Sequence, residues 1–535
     1  MRKLSMRLWY ALAISVALGL FSASPSAGAE EPTPDPVLHI GSVSDVDTQT
    51  MRRLIEESTQ SSVTQIPALP PLVLDLEQAV RTALESNLQL QIAALDRNVA
   101  EALVPAARAK FHPTPGLDVI AAEERLVDAP DDPDSPGELE PGTLKEDEQA
   151  VLPFVRQELP TGGTLLLVTD LNRQGVHDGR DIADDDPEPD RDDYAGGSTL
   201  LLRQPLLRGG RVYVARREIL DAEYNLDILE AQLRAQILQV TAQVKEAYYN
   251  TLLAQRLIEV SEQALVRDRS LLEASRALFE AGRATRRDVL SAEIRISDDE
   301  ASLARNRAAL EGAQLVLRDV LGTPIGQPIR AAEATVPFEP VPIRLASWIA
   351  SALENRPELR QLLTRLDQSS LAVQVASNDV LPMLDFLGSY RRVGFDSSWR
   401  KTWDLNSQVW AAGLHFEIPL GNVAARERLR AAKFLHERVE RELEAQRRLI
   451  EIEVRTEEIS LRENLGNLAA QTAKVEQARD KLETANTRFR LGLADNFDVT
   501  DAQEDLVSAE SEFLVAIVDY VNSLARLEAR IAGPL

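Results

Sequence analysis

The chain has 535 residues, a formal net charge of −26, no cysteine and five histidines. Absence of cysteine excludes disulfides, thiolate chemistry and a lipid-carrying Cys after a leader. His39, His112, His177, His415 and His436 are too scattered to read as a ligand pair, and no nucleophile motif is present, so no enzymatic activity, metal or cofactor is expected.

Arg2, Lys3 and Arg7 precede an apolar run from Leu8 to Phe21, and Ala27-Gly28-Ala29 supplies a small-residue cleavage site. Residues 1–29 therefore read as a secretory signal peptide. Residues 30–72 form a polar, Pro-punctuated lead-in with a short helical stretch near Met51–Thr59. No later segment is apolar enough for a membrane helix, so a bilayer crossing would need strands.

A first repeat is expected over 73–322. It opens with one long helix, N-capped by Asp75 and running to Phe111, where His112-Pro113-Thr114-Pro115 stops it. Four strands follow at Leu117–Leu126, Gln149–Glu158, Gly163–Asn172 and Gly197–Gln204, with a tight turn at Pro160-Thr161-Gly162-Gly163. The opposite connections are strongly acidic. Residues 128–148 hold nine Asp/Glu and one Lys, and residues 178–193 hold nine Asp/Glu and two Arg. They read as solvated loops, extracellular if the strands cross an outer membrane. Asp184-Asp185-Asp186 lacks the Gly and distal Glu of a calcium loop.

A helix of roughly 100 Å is then expected from Arg211 to Glu280. Leu226, Leu229, Leu233, Ile237, Val240, Val244 and Ala247 recur along it at coiled-coil spacing. Gly282 turns the chain into a return helix ending at Leu321-Gly322.

After a linker at 323–342 the plan repeats over 343–535. Ala83-Leu84-Glu85 returns as Ala352-Leu353-Glu354, and at the same offset Leu76, Leu90, Val104, Ala107 and Pro113 become Leu345, Leu359, Val373, Ala376 and Pro382. The second repeat holds an opening helix, strands within 384–418 and a helical hairpin over 423–532. From Gln408 to Ile418 the residues Trp410, Ala412, Leu414, Phe416 and Ile418 alternate with Ala411, Gly413, His415 and Glu417, so one face suits lipid. Tyr390, Trp399, Trp403 and Trp410 are candidate membrane-interface anchors. The tip of the first hairpin, Phe279-Glu280-Ala281-Gly282-Arg283-Ala284 with Asp288-Val289, returns as Phe489-Arg490-Leu491-Gly492-Leu493-Ala494 with Asp498-Val499.

With these residues in order, the chain from Leu74 onward resembles the TolC-like outer-membrane efflux family. The resemblance rests on Leu76-Glu77-Gln78-Ala79 through Ala83-Leu84-Glu85, on Gln204-Pro205-Leu206-Leu207-Arg208-Gly209-Gly210, on Tyr248-Tyr249, and on Arg488-Phe489-x-x-Gly492. It implies a mainly α protein with a membrane β-barrel: a homotrimer, internally duplicated, whose strands share one transmembrane barrel and whose helices form a long α-helical barrel across the periplasm. It implies a passive exit duct of a tripartite efflux or type I secretion system, partnered by a periplasmic adaptor (membrane fusion) protein and an inner-membrane pump. The adaptor would meet the hairpin tips at Gly282, Arg283, Gly492 and Leu493, and the pore would constrict near Asp288, Asp498 and Asp501.

Asp498 and Asp501 are spaced to project from one helix face, and threefold symmetry would make them stacked acidic rings that attract cations. The same acids also suit a helix N-terminus. The family's usual four strands per chain departs from the six read here, so the Gln149–Asn172 pair either enlarges the barrel or folds outside it. The alternative function is a non-conducting periplasmic or surface coiled-coil protein. A pure coiled coil has no use for the alternation at Trp410–Ile418. A further alternative, the adaptor itself, would carry a single hairpin rather than two.

Overall fold

The computed structural model describes residues 72–127, 143–178, 191–324, 326–333, 335–336, 338–491 and 493–533. The expected signal peptide, nearly all of the lead-in, the centres of both acidic segments and Gly492 lie outside the described residues.

Strand β1 (Leu72–Leu74) leads into α1 (Leu76–Ser86). Asp75 caps this helix as expected: its Oδ1 accepts the Gln78 N–H at 2.7 Å, and Gln78 Oε1 accepts the Asp75 N–H at 3.4 Å, completing a capping box. The expected single opening helix is in fact two, because α1 stops at Asn87 and α2 (Leu88–Arg108) begins there. Asn87 Oδ1 accepts the Leu90 N–H at 3.1 Å, and its Nδ2 donates to the Val320 carbonyl at 2.7 Å. The second half breaks at the equivalent residue by different chemistry. Between α6 (Leu345–Asn355) and α7 (Pro357–Asp379), Arg356 takes the extended conformation that a following proline favours.

After a 3₁₀ turn at Ala109–Phe111, the chain forms β2 (Thr114–Val127), β3 (Thr143–Glu158), β4 (Thr164–Asp178) and β5 (Arg191–Pro205). The second half adds β7 (Met383–Asp396) and β8 (Ser407–Glu417), and all six form one antiparallel sheet in the order β2-β3-β4-β5-β7-β8. Several strands run past their expected ends. Thr143–Glu148 pairs with Ala122–Val127, and Arg191–Asp193 pairs with Gln174–Val176, so those parts of the acidic segments are strand rather than loop.

Directly paired residues share a face, so the register sorts the sheet. Leu165↔Leu202, Leu202↔Gly388 and Gly388↔Ala412 put Leu165, Leu167, Leu200, Leu202, Tyr390, Trp410, Leu414 and Phe416 on one apolar face. The opposite face carries Arg203 against Asp385 at 2.6 Å and Arg391 against Asp170 at 3.0 Å. Buried charges on that side are paired, as burial requires.

Beyond β5 a short helix α3 (Val212–Ala215) precedes α4 (Arg217–Glu280), a break at Arg216 that the periodicity did not signal. The Gln204–Gly210 connection is held from α7: Asn378 Oδ1 accepts the Gly209 N–H at 2.7 Å, and its Nδ2 donates to the Leu207 carbonyl at 3.2 Å. Helix α5 (Arg286–Leu321) returns from α4, and α9 (Asn496–Ile531) returns from α8 (Val423–Arg490). At 1.5 Å per residue α4 and α8 each span roughly 100 Å. Gly322, with φ +69°, ends α5 where a methyl group would collide with the Ser86 carbonyl.

The two halves share one core. Val240, Val244, Tyr248 and Leu252 of α4 pack in the same cluster as Ile450, Val454 and Leu461 of α8, Tyr520 and Leu527 of α9, and the repeat-related pair Ala83 and Ala352. Leu435 of α8, one turn before the buried Val439, is exposed. The hydroxyls of Tyr248 and Tyr520 are satisfied, Tyr248 donating to the Leu74 carbonyl at 3.1 Å and Tyr520 to the Glu339 carbonyl at 2.9 Å. The segment expected as a linker is therefore tied down. It also supplies β6 (Ile329–Ala331), which pairs in parallel with β1.

Candidate functional site at the hairpin tips

The tips follow from two turns of related geometry. In the first, the Gly282 N–H donates to the Phe279 carbonyl at 2.9 Å and the Arg283 N–H to the Leu278 carbonyl at 2.8 Å, with Gly282 at φ +73°. Only glycine enters that region without strain. In the second, the Leu493 N–H donates to the Arg488 carbonyl at 2.9 Å, the bond equivalent to Arg283–Leu278. Arg488 Nη2 reaches back to the Leu493 carbonyl at 3.4 Å, so this arginine braces its own turn. Arg283 and Leu493 are exposed, and Phe279, Leu491 and Phe497 add exposed apolar surface to the tips.

Asp288 is the N3 residue of α5. Its Oδ2 accepts the Thr285 N–H at 2.7 Å and the Thr285 hydroxyl at 2.8 Å, so the carboxylate is engaged in a capping box. Its backbone carbonyl is engaged as well, accepting from Asn496 Nδ2 at the first turn of α9 at 2.9 Å. The structure thus joins the two hairpins at Asp288, through a residue not singled out from sequence.

Asp498 is exposed, and its N–H is capped by Asp495 Oδ1 at 3.1 Å. Asp501 is exposed but not alone. Lys481 of α8 places Nζ 2.6 Å from Asp501 and 2.5 Å from Asp505, and these hydrogen bonds raise the lysine's pKa. The acidic face of α9 is therefore partly neutralised within the chain.

Higher on the first hairpin, about 18 Å from the end of α4 at 1.5 Å per residue, lies a charged cluster not anticipated from the sequence. Asp268 and Asp299 are both buried; Arg295 Nε lies 3.4 Å from Asp268 and 3.7 Å from Asp299, while its Nη1 lies 3.2 Å from Glu504 on the second hairpin. Burial, then the Asp299 hydrogen bond and its repulsion, push the Asp268 pKa up to about 7, with Arg295 opposing. A signal did exist. Asp268 falls between Ser261, Ala264, Leu265 and Leu271, Ser275 on the buried stripe of α4, where a coiled coil rarely admits charge.

At the other end of the molecule, Tyr390 and Trp410 are direct cross-strand partners, and Trp399 and Trp403 lie in the β7–β8 connection. All four are exposed, Trp410 at 75%. Among the described residues no group of His, Cys, Asp and Glu is arranged to hold a metal, and no helix is long and apolar enough to cross a membrane.

The family profile described as outer membrane efflux protein matches residues 164–323 and 348–533. The alkaline protease secretion protein AprF of Pseudomonas aeruginosa is 27% identical over 349 residues, covering 64% of this chain and 70% of that one. The solved structure of VceC from Vibrio cholerae matches with TM-score 0.60 at 17% identity, covering 86% of this chain and 96% of the other. The open state of the Neisseria gonorrhoeae MtrE channel matches with TM-score 0.60 at 17% identity, covering 88% and 94%.

Proposed function

The chain belongs to the outer membrane efflux protein family, and from that premise we propose that it is an outer-membrane exit duct, passively conducting cargo from an inner-membrane pump and a periplasmic adaptor to the exterior. The observation that carries the reading is the six-stranded sheet: apolar on one face, ion-paired on the other, open at β2 and β8, and joined to helical hairpins of roughly 100 Å. An open apolar sheet is unsuited to a single chain in water, whereas closure with further copies removes its edges and lets the apolar face meet lipid.

A homotrimer meets that need. Leu88, Ile92, Leu95, Val99 and Leu103 form an exposed apolar stripe at helical spacing along α2, which a neighbouring copy would cover. The division into repeats at 73–322 and 343–535 is part of the same proposal, each repeat giving strands to the barrel and one hairpin to the periplasmic tunnel. The tips around Gly282, Arg283, Gly492 and Leu493 are the adaptor contact, and Asp288, Asp498 and Asp501 mark the constriction. The likeness to a protein named for alkaline protease secretion supports the type I secretion arm of the family. A non-conducting coiled-coil role would leave the apolar sheet face without a use.

Fractionation of the envelope followed by gel analysis without heating tests the reading. A detergent-resistant trimer in the outer membrane is expected; a monomer in the soluble periplasmic fraction would overturn it.

A further inference from the structure

The β3–β4 hairpin (Thr143–Asp178) sits within the sheet, and without it β2 would have no partner. We propose that this hairpin is membrane-spanning wall, its apolar face against lipid hydrocarbon, so that each chain gives six strands and three chains close an eighteen-stranded barrel. The proposal rests on the outer-membrane trimer argued above and adds the wall's composition and width.

Three observations carry it. First, the register is continuous through the hairpin: Val119↔Val151, Val155↔Leu167 and Leu167↔Leu200 share a face, and the chain of pairs extends that face to Trp410 and Leu414. Val151, Val155 and Leu167 are exposed there, at 41%, 39% and 43%, an outward apolar surface that a hairpin standing in water would not be expected to maintain. Second, the buried charge of the hairpin lies on the other face. Asp170 of β4 is buried and pairs with Arg391 of β7, reaching across Gly197 of the strand between them. Third, β3 and β4 have 16 and 15 residues, more than the roughly 9–11 that a tilted strand needs to cross hydrocarbon.

The consequence is width. Barrel diameter grows about linearly with strand number, and barrels of about 16–18 strands already enclose an aqueous channel. The strands then leave a broad exit, and the narrowest point of the path falls to the helical tips.

The chain has no cysteine, so single thiols can be introduced without background. Val151→Cys, Val155→Cys and Leu167→Cys would each carry a polarity-sensitive fluorophore in bilayers containing lipids with a quencher on the acyl chain. Leu414→Cys on β8 reports the membrane placement of the sheet itself. The expected result is quenching at all three hairpin positions to the extent seen at Leu414→Cys, together with slow labelling of the same unmodified thiols by a charged maleimide in intact outer membranes. Unquenched, maleimide-reactive hairpin thiols beside a quenched Leu414→Cys would overturn the six-strand wall while leaving the duct intact. An unquenched Leu414→Cys would overturn both. Each variant is first checked for the trimer, and the three hairpin positions stand in for one another should one fail to assemble.

Discussion

The side-chain amide of Asn496 donates to the backbone carbonyl of Asp288 at 2.9 Å, fastening the first turn of α9 to the first turn of α5. Asn496 is buried, and its Oδ1 has no partner among the described residues. One hydrogen bond of this kind contributes about 1 kcal/mol, enough to bias the two hairpins between this joined arrangement and the parted one that the proposed duct would need to open. Asn496→Ala is expected to raise the open probability of reconstituted channels by about fivefold, the Boltzmann equivalent of that energy. An unchanged open probability would remove this contact from the closed state.

Asp268 should make the junction pH-dependent. Its carboxyl is raised from 3.8 to about 7 by burial first and by Asp299 second, with Arg295 lowering it. Between those values the folded chain holds a proton that the unfolded chain has lost, so stability from this site is greatest in acid, falls as pH rises toward 7 and is lost above it. Amide exchange near Asp268 and Asp299 is therefore expected to be slower at pH 6 than at pH 8 after correction for intrinsic rates. Asp268→Asn should flatten that difference, and a difference surviving in the variant would assign it elsewhere.

Much of this was legible in the sequence, and the exceptions share a cause. Apolar periodicity located the long hairpins, and alternation located the strands, because both follow from which face is buried. The break at Asn87 was invisible because its reason is a partner distant in sequence, the Val320 carbonyl. The break at Arg356 was marked by Pro357, which at N1 is as compatible with starting a helix as with stopping one. At the tips, spacing placed Asp498 and Asp501 on one helix, but it could not show that Lys481 of the neighbouring helix meets Asp501 and Asp505.

That lysine yields a pair of opposite expectations. Lys481→Met uncovers Asp501 and Asp505 and should increase cation selectivity, whereas replacing Asp498 and Asp501 together with Ala should make the closed pore leakier and less cation-selective. Reversal potentials under a salt gradient measure both. Shifts in the same direction would place these side chains away from the conduction path.

Gly322 should tolerate no side chain. Its left-handed backbone alone costs an L-residue about 1–2 kcal/mol, and a methyl group there meets the Ser86 carbonyl. Gly322→Ala is expected to lower the thermal midpoint of the purified protein, while Gly312→Ala, where nothing lies within 4 Å, should not. Equal midpoints for the two variants would show that the contact between α5 and α1 yields freely.

Whether this chain forms a conducting duct is decided by single-channel recording of the purified protein in a planar bilayer, in symmetric and then asymmetric salt. Discrete, cation-selective openings are expected, more frequent in Asn496→Ala than in the native chain. A folded outer-membrane trimer that conducts neither as the native chain nor as that variant would contradict the duct.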